Sequence, residues 1–365
     1  MKLRPLDTPF LLAVCALIVF GLLIFTSAAL GLLARDGATF TSVAVNQLLL
    51  GFLLGGIGMI VTSRIDYKLW RPYTPYFFGF ALLLTLLTFV PHIGLELKGA
   101  SRWLNLGPVS FQPVELLKLA MVGFLAAVYA GNFRKINTLK GGILPLLAIA
   151  GGSAVIVLLQ PDTASGMMLV FAGTAMLFAG GGRIAHLLLL ALVGIGLVGG
   201  AALAYPHVRS RIMTYIDQTA DPQGSGYQVT QSLIAVGSGG ITGRGFGQSV
   251  EKFSYLPEPI GDSIFAVAAE EFGLVGSIAL VGLYAAFAIL GLRIAARAPD
   301  PFGGLLAVGL TVLIAGQSFF NIASAIALVP LVGVPLIFVS HGGTALAIAL
   351  CEVGILLSVS RRMKN

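Results

Sequence analysis

Apolar runs of about 20 residues recur along the whole chain and alternate with short polar segments. A run of that length can cross roughly 30 Å of hydrocarbon, and in a bilayer its backbone polar groups must be satisfied within the run itself. The pattern therefore predicts an all-α polytopic membrane protein that forms a single integral membrane domain over residues 1–365. Its ten expected transmembrane helices cover residues 9–33, 43–63, 73–92, 113–131, 142–160, 164–182, 184–205, 263–295, 303–329 and 335–360.

Composition supports the membrane assignment and indicates the orientation. Of the 365 residues, 57% are hydrophobic and 10% are charged, whereas soluble domains carry about 25% charged residues. The net charge of +7 is spread over short loops rather than gathered on one face, which argues against nucleic acid as a partner. By the positive-inside rule, the loops rich in Lys and Arg are cytoplasmic, and so are both termini. The first apolar run, 10–33, is too long for a cleaved leader, whose apolar region has about 7–15 residues, so we expect an uncleaved span.

Two segments on the outer side, residues 92–112 and 206–262, are too long to be simple connections. The second is a large extracytoplasmic loop between the seventh and eighth helices, and long loops are commonly functional. It ends at Asp262, where polar sequence runs directly into an apolar helix. A carboxylate at the edge of hydrocarbon is costly unless it has a partner or a chemical role, so Asp262 is the foremost candidate site residue. The same loop contains Glu258, and its glycine-rich part, around Arg244, allows close backbone approach to an anion.

Two pairs of charged residues fall inside predicted helices. Glu115 and Lys118 are three residues apart, so they lie on one helix face and can pair. Two interpretations are open: a buried ion pair that only fixes packing, or a site in which Lys118 meets an anionic substrate group while Glu115 orients it. Glu270 and Glu271 are adjacent and point about 100° apart, so one partner can hardly satisfy both. One of them is a candidate cap for loop backbone.

Three residues in the outer connections have both a structural and a functional interpretation. Arg102 and Trp103 suit a headgroup anchor at the membrane interface, but an Arg in a shaped turn can also fork onto a phosphate. Asp162 follows the helix-ending Pro161 and is either a turn cap, a second acid of the site or a cation ligand.

Six motifs occur in the order in which they occur in a known family: RWLNLG, QPVELLK, LLQPD, GYQVTQSLIAVGSGGITGRGFGQS, FSYLPEPIGDSIFAVAAEEFG and VPLVGVPLIFVSHGG. Through them the chain resembles the SEDS family (shape, elongation, division and sporulation), most closely its cell-elongation branch, RodA. The resemblance runs from the first span to the tenth. It implies ten transmembrane helices in the bacterial cytoplasmic (inner) membrane and polymerisation of lipid II into the glycan strands of peptidoglycan. It also implies a class B penicillin-binding protein, a transpeptidase, as partner.

The resemblance also assigns site residues. The family's essential aspartate maps to Asp262, the acid and base of its QPxExxK helix to Glu115 and Lys118, the aspartate of its LQPD turn to Asp162, and its Arg-Trp pair to Arg102 and Trp103. The chain departs from the family pattern in three places: Ile260-Gly261 stands where His-Thr is usual, Thr163-Ala164-Ser165-Gly166 replaces a Leu-Gly-Thr type of turn, and His341 replaces Tyr.

The implied mechanism makes Asp262 the general base for a sugar hydroxyl, while cations stabilise the pyrophosphate that leaves. The candidate cations are Arg102, Lys118, Arg211 and Arg244, with Arg102 and Lys118 preferred. No metal ligand set is predicted, although a divalent cation (Mg²⁺ or Mn²⁺) held through Asp162 or Asp262 stays open. Two rivals are a lipid II flippase or transporter, which suits ten spans with intramembrane charges, and a scaffold that only recruits the penicillin-binding protein.

Overall fold

The computed structural model describes residues 6–35, 37–97, 100–105, 110–204, 206–217 and 224–363, and most of them are helical, as predicted. Three stretches of π-helix, Asn46–Leu54, Leu139–Ile143 and Leu147–Gly151, are continuous with neighbouring α-helices. The α-helices in chain order are α1 (Thr8–Arg35), α2 (Gly37–Val45), α3 (Gly55–Arg64), α4 (Tyr67–Trp70), α5 (Thr74–Leu87), α6 (Pro113–Gly131), α7 (Leu144–Leu146), α8 (Gly152–Leu158), α9 (Thr163–Ala179), α10 (Ile184–Ala204), α11 (Pro206–Ile216), α12 (Ser225–Ser238), α13 (Glu251–Ser254), α14 (Ile264–Ala296), α15 (Pro301–Ala325) and α16 (Gly343–Ser360).

Helices long and apolar enough to cross a membrane confirm the prediction of a polytopic protein. Helices α5, α9 and α10 occupy three of the ten predicted spans. Within the described residues, the spanning stretches at the other seven positions are Thr8–Ala34, Val43–Arg64, Pro113–Gly131, Leu139–Leu158, Ile264–Ala296, Pro301–Ala325 and Gly343–Ser360.

The centre of the bundle is α15, which packs against α6, α9, α14 and α16. The most apolar stretches of α15 and α16 are 78% and 83% buried, whereas the stretch Val43–Arg64 at the periphery is only 22% buried. In a membrane the peripheral faces meet lipid, so polar side chains are best accommodated between the central helices. Polar residues on α15 are therefore placed to organise a site.

Short polar signals begin the central helices. Pro113 occupies the first turn of α6 after the extended Gln112, where its missing N–H costs nothing. Asp300 caps α15 by accepting a 3.0 Å hydrogen bond from the backbone N of Gly303. Helix α9 is capped in the same way, because the Asp162 side chain accepts from the backbone N of Ser165.

The outer segment 92–112 contains a small antiparallel sheet that was not predicted. Its strands are β1 (Gly94–Leu97), β2 (Ala100–Asn105) and β3 (Ser110–Phe111), in the order β1-β2-β3. Trp103 pairs with Leu95 on one side, and Leu104 pairs with Phe111 on the other. The sheet places Arg102 and Trp103 on a braced strand rather than on an irregular loop.

The tenth span is shorter than predicted, because α16 begins at Gly343 whereas the expected helix started at residue 335. The residues before it run without regular structure and turn their carbonyls to side chains of the bundle. The backbone oxygens of Val334 and Pro335 accept from Asn321 and Gln317 on α15. Helical geometry would have used those carbonyls internally, so the polar contacts replace the first turns of the helix.

The segment 206–262 contains helices α11, α12 and α13, and its glycine-rich part packs into a break in α14. Gly273 has φ +65°, a conformation that glycine adopts without steric cost. The break lets the backbone N of Leu274 donate to Gly240 O at 2.9 Å, while Gly245 N donates to Glu271 O at 3.0 Å. The outer segment is thereby hydrogen-bonded to both sides of the break.

Candidate functional site

Asp262 ends a turn whose backbone is fixed by three neighbouring residues. Of the three consecutive carbonyls of residues 260–262, the first accepts from His341 N at 2.7 Å. The second accepts from Ser340 Oγ at 2.8 Å, and the third accepts from Asn321 Nδ2 at 3.1 Å. Since each carbonyl has its own donor, the turn cannot shift without losing hydrogen bonds. The position of the Asp262 backbone is therefore set by the bundle.

The Asp262 carboxylate is half-buried at the start of α14. A methyl group built on Gly333 would lie 3.4 Å from Asp262 Oδ2, so the segment before α16 passes directly beside the carboxylate. On the other side, Gln228 Nε2 of α12 donates to Ser263 Oγ at 3.1 Å. The carboxylate thus lies where α12, α14 and the segment before α16 meet.

Glu115 and Lys118 form the buried ion pair that their spacing predicts. Lys118 Nζ lies 2.8 Å from a Glu115 carboxylate oxygen, and both side chains are almost completely buried. Lys118 also donates to Gln317 Oε1 of α15 at 2.8 Å. Pairing is confirmed, and a role in binding substrate stays a prediction.

One face of α15 connects this ion pair to Asp262. Gln317 and Asn321 are four residues apart and therefore lie one above the other on the helix. Gln317 contacts Lys118, whereas Asn321 contacts the backbone of Asp262. Both amides also donate to the segment before α16. The two predicted charged centres therefore belong to one polar column.

Glu352 of α16 joins Glu115 and Lys118 at the Gln317 end of this column. A cavity of about 10 Å³, room for about one water molecule, is lined by Glu115, Lys118, Gln317 and Glu352 together with apolar side chains. Two carboxylates and one ammonium group line this cavity, among side chains that are otherwise mostly apolar.

Arg102 and Asp162 come together at the turn between α8 and α9. Arg102 Nε donates to Gln160 O at 3.2 Å, and its Nη2 donates to Pro161 O. Asp162 Oδ1 accepts from Ser165 N at 3.1 Å, so the predicted turn cap is confirmed. The strand that holds Trp103 is thus tied to the turn that holds Asp162.

The remaining predicted residues lie apart from the α8–α9 turn, or their side chains lie outside the part of the chain that the structure describes. Arg244 is 3.5 Å from a Glu270 carboxylate oxygen, and its side chain is 42% exposed. Glu258 is exposed, with φ +48°, and its carbonyl accepts from Gly261 N and Ser263 N within the turn before α14. The backbone of Arg211 lies in α11, but its side chain is outside the described residues.

Glu270 and Glu271 have separate partners, as their angular offset requires. Glu270 accepts from Ser249 Oγ at 2.6 Å and from Val250 N at 3.0 Å, so it is the predicted cap of loop backbone. Glu271 accepts from Lys252 Nζ at 2.6 Å, and Lys252 and Glu271 are both fully buried. These bonds fasten the segment around α13 to the break in α14.

Two titratable groups near the site have shifted pKa values. Burial lowers the pKa of His341, although the nearby Glu258 carboxylate opposes the shift. Burial raises the pKa of Glu251, with Glu270 adding to the shift and Arg244 opposing it. Burial therefore disfavours the protonated form of the His341 imidazole beside the turn that carries Asp262.

Sequence reasoning did not single out Gln317 and Asn321. The available signal was two amides spaced by four in an otherwise apolar helix, Gln317-Ser318-Phe319-Phe320-Asn321. Polar residues inside a membrane helix are functional candidates by default. That rule alone would have marked this face of α15.

The comparisons with known proteins agree with this architecture. A family model described as a cell cycle protein, FtsW/RodA/SpoVE, matches residues 8–365. Stage V sporulation protein E of Bacillus subtilis is 39% identical over 308 residues, which cover 84% of this chain and 84% of that protein. A probable peptidoglycan glycosyltransferase FtsW of Geobacter sulfurreducens is 35% identical over 363 residues, covering 98% of this chain and 96% of that protein.

Solved structures share the fold over the whole chain. A chain from a peptidoglycan synthase complex, described as coordinating polymerization and crosslinking, is 29% identical with a TM-score of 0.78 and covers 99% of both chains. The rod shape determining protein RodA of Thermus thermophilus is 25% identical with a TM-score of 0.68, covering 99% of this chain and 98% of that one.

Proposed function

This chain belongs to the FtsW/RodA/SpoVE family of cell cycle proteins, and on that premise we propose that it is a peptidoglycan glycosyltransferase that polymerises lipid II. The reaction takes place at the outer face of the cytoplasmic membrane, with both termini of the chain on the cytoplasmic side. One observation supports this proposal most directly: Asp262, at the boundary between polar sequence and a membrane helix, ends a turn in which the three carbonyls of residues 260–262 each accept from a separate donor.

Asp262 is the general base in this proposal. A sugar hydroxyl gives its proton to the Asp262 carboxylate while its oxygen attacks the anomeric carbon of a second lipid-linked sugar. The bond between that carbon and the pyrophosphate oxygen breaks, and the lipid pyrophosphate leaves with the bonding electrons. Asp262 then releases the proton to water. A fixed backbone favours this step because a base must be held within hydrogen-bond reach of the hydroxyl.

Arg102 and Lys118 are the preferred groups for the leaving pyrophosphate. A guanidinium has five N–H donors, and among the described residues Arg102 uses two of them on the carbonyls of the α8–α9 turn. Those two bonds fix the orientation of the planar Arg102 guanidinium, which suits bidentate contact with a phosphate. Lys118 has a third donor beyond Glu115 and Gln317. Trp103, Asp162, Arg211, Arg244 and Glu258 are proposed to line the path of the substrate.

A divalent cation remains a proposal. In the part of the chain that the structure describes, no three His, Cys, Asp or Glu side chains cluster as metal ligands. An ion here would take most of its ligands from the substrate pyrophosphate and water, as Mg²⁺ commonly does. Chelation with EDTA, followed by addition of Mg²⁺ or Mn²⁺, tests this requirement in the polymerisation assay.

The assay for the main proposal is polymerisation of purified lipid II, followed on gels, by the full chain with its partner present. We expect Asp262→Asn to fold normally and to form no glycan strands. Asp7→Asn is the matched control, since it removes the same charge from a carboxylate that caps the distant first helix. Full glycan synthesis by Asp262→Asn would falsify the role of this carboxylate.

The partner is proposed to be a class B penicillin-binding protein, and the cellular role to be elongation. The structural likeness to a peptidoglycan synthase complex supports a partner, and the likeness to RodA supports elongation. The relatives named FtsW and SpoVE make division and sporulation the competing roles. Expression in strains depleted of RodA or of FtsW distinguishes them, because rescue of rod shape but not of septation is expected.

Transport of lipid II is the second candidate function. The observation that favours it is the buried group of Glu115, Lys118 and Glu352 between the central helices, since intramembrane charges often mark transport pathways. A protection assay with fluorescent lipid II in liposomes measures movement across the bilayer. Movement without polymer would favour transport, and polymer without movement would favour the glycosyltransferase.

A further inference from the structure

A second, larger pocket lies at the end of α6 that is distant from Asp262. Helix α6 has 19 residues and therefore separates its two ends by roughly 28 Å. The pocket follows the last turn of α6, has a volume of about 760 Å³ and is lined by none of the residues of the site described above. It is lined by Asn132, Lys135, Asn137, Thr138, Leu139, Lys140, Gly141, Arg183 and His186.

Close backbone contacts build the floor of this pocket. A Cβ on Gly141 would lie 2.2 Å from Lys135 O, so only glycine lets the start of the next helix pack on the turn after α6. Thr138 Oγ1 accepts from Gly141 N at 3.1 Å and donates to Lys135 O at 2.7 Å. These contacts fix Lys135 and Lys140 on neighbouring turns.

The end of α9 brings the third cation to the same place. Gly181 has φ +94°, and Gly182 N donates to Leu177 O at 2.8 Å, which ends the helix and reverses the chain. Arg183 follows directly and faces the turn after α6 across the pocket. Two separate turns therefore converge on one basic site.

The charge of this pocket is uncompensated. Its lining contains Lys135, Lys140 and Arg183 but neither Asp nor Glu. None of these three cations has a carboxylate within salt-bridge distance in the described ranges. The lining also supplies the amides of Asn132 and Asn137. Cations together with neutral hydrogen-bond donors match the oxygens of a phosphate group.

Exposed apolar side chains, one in the pocket lining and two close in sequence to Arg183 and His186, indicate what carries the phosphate. Leu139 is 61% exposed, Ile184 67% and Leu188 66%. In a membrane protein such side chains face acyl chains, so the pocket lies at the boundary between lipid and water. We propose that it binds the phosphate headgroup of an anionic phospholipid, whose acyl chains lie along the apolar side chains at the start of α10.

The test compares headgroups and a charge-matched control. The full chain, purified in detergent, is titrated with phosphatidylglycerol and with phosphatidylcholine, and dissociation constants are measured by native mass spectrometry. The pocket variant is Lys135→Gln/Lys140→Gln/Arg183→Gln. The control is Arg64→Gln/Arg293→Gln/Arg297→Gln, which removes the same charge from exposed residues outside the pocket.

We expect the pocket variant to weaken phosphatidylglycerol binding by about fivefold for each cation removed, and roughly 100-fold in total, while the control changes it little. Phosphatidylcholine should bind weakly to all three proteins. Equal loss in the control and the pocket variant would overturn the proposal. Displacement of phosphatidylglycerol by millimolar inorganic phosphate would assign the pocket to a soluble phosphate compound instead of a lipid. The single variants Lys140→Gln and Arg183→Gln keep the test decisive if the triple variant unfolds.

Discussion

The buried pair of Lys252 and Glu271 provides the sharpest test of how the outer segment is held. Their charged atoms are 2.6 Å apart, and the side chains are 0% and 1% exposed. Replacing Lys252 by Met leaves the Glu271 carboxylate buried, with Ser27 and a backbone N–H as its remaining donors. Removing one partner of a buried pair costs about 3–5 kcal/mol. We therefore expect Lys252→Met to lower the free energy of unfolding by that amount.

A surface ion pair in the same protein supplies the control. Lys68 and Asp300 are 3.7 Å apart, and the Lys68 side chain is 53% exposed. Solvent screening and side-chain entropy limit such pairs to about 0–1 kcal/mol, so Lys68→Met should cost no more than this. Reversible unfolding in mixed micelles with rising SDS, followed by circular dichroism, measures both variants under one condition.

The double variant Lys252→Met/Glu271→Gln separates loss of the pair from loss of packing. It leaves no uncompensated charge, so we expect it to be more stable than Lys252→Met alone, with a coupling energy of about 2–3 kcal/mol. The reasoning fails if Lys252→Met costs no more than Lys68→Met, or if the two substitutions simply add. Either result would mean that the Glu271 carboxylate becomes hydrated or protonated when Lys252 is removed.

Three further predictions concern the candidate site. Asn321→Leu removes the donor of two backbone carbonyls, one of them that of Asp262, and each lost hydrogen bond costs about 1–3 kcal/mol of stability. We expect this variant to polymerise lipid II 10- to 100-fold more slowly, and an unchanged rate would contradict the prediction. Arg102→Lys keeps the charge but loses the fork on the α8–α9 turn, so we expect about tenfold lower activity, measured beside Arg102→Ala, which should lose more. The pKa of His341 is lowered from an ordinary value near 6.5, so below pH 6.5 the unfolded state binds more protons than the folded state and stability should fall as the pH drops. His341→Gln should flatten this pH dependence of stability, and an unchanged profile would refute the prediction.

The helical architecture could be predicted from the sequence because it rests on local patterns. Apolar runs of spanning length predict membrane helices, and the spacing of Glu115 and Lys118 predicts their contact. The start of α6 was also predictable, since Pro113 marks a first helical turn. In each case the signal lies within a few residues of the feature that it predicts.

The missed features depend on contacts between separate segments rather than on a pattern within one segment. The sheet of residues 94–111 forms by pairing three short strands, which carry little periodicity of their own. The late start of α16 follows from donors on α15, such as Asn321, which lies 13 residues before the Val334 carbonyl that it contacts. The joining of Lys118 and Asp262 through Gln317 and Asn321 requires three helices to be in register. Such register is a property of packing, which a single sequence does not display.

The break at Gly273 divides α14 into two mechanical parts. The part before Gly273 begins just after Asp262 and is bonded to the outer segment through Glu270 and Glu271, while the part after Gly273 is bonded to it through the backbone N atoms of Leu274 and Val275. A force applied to the outer segment, for example by a bound protein, therefore reaches the Asp262 turn through the short part of α14 that precedes Gly273. The glycine break thus couples the outer segment mechanically to the turn that carries Asp262.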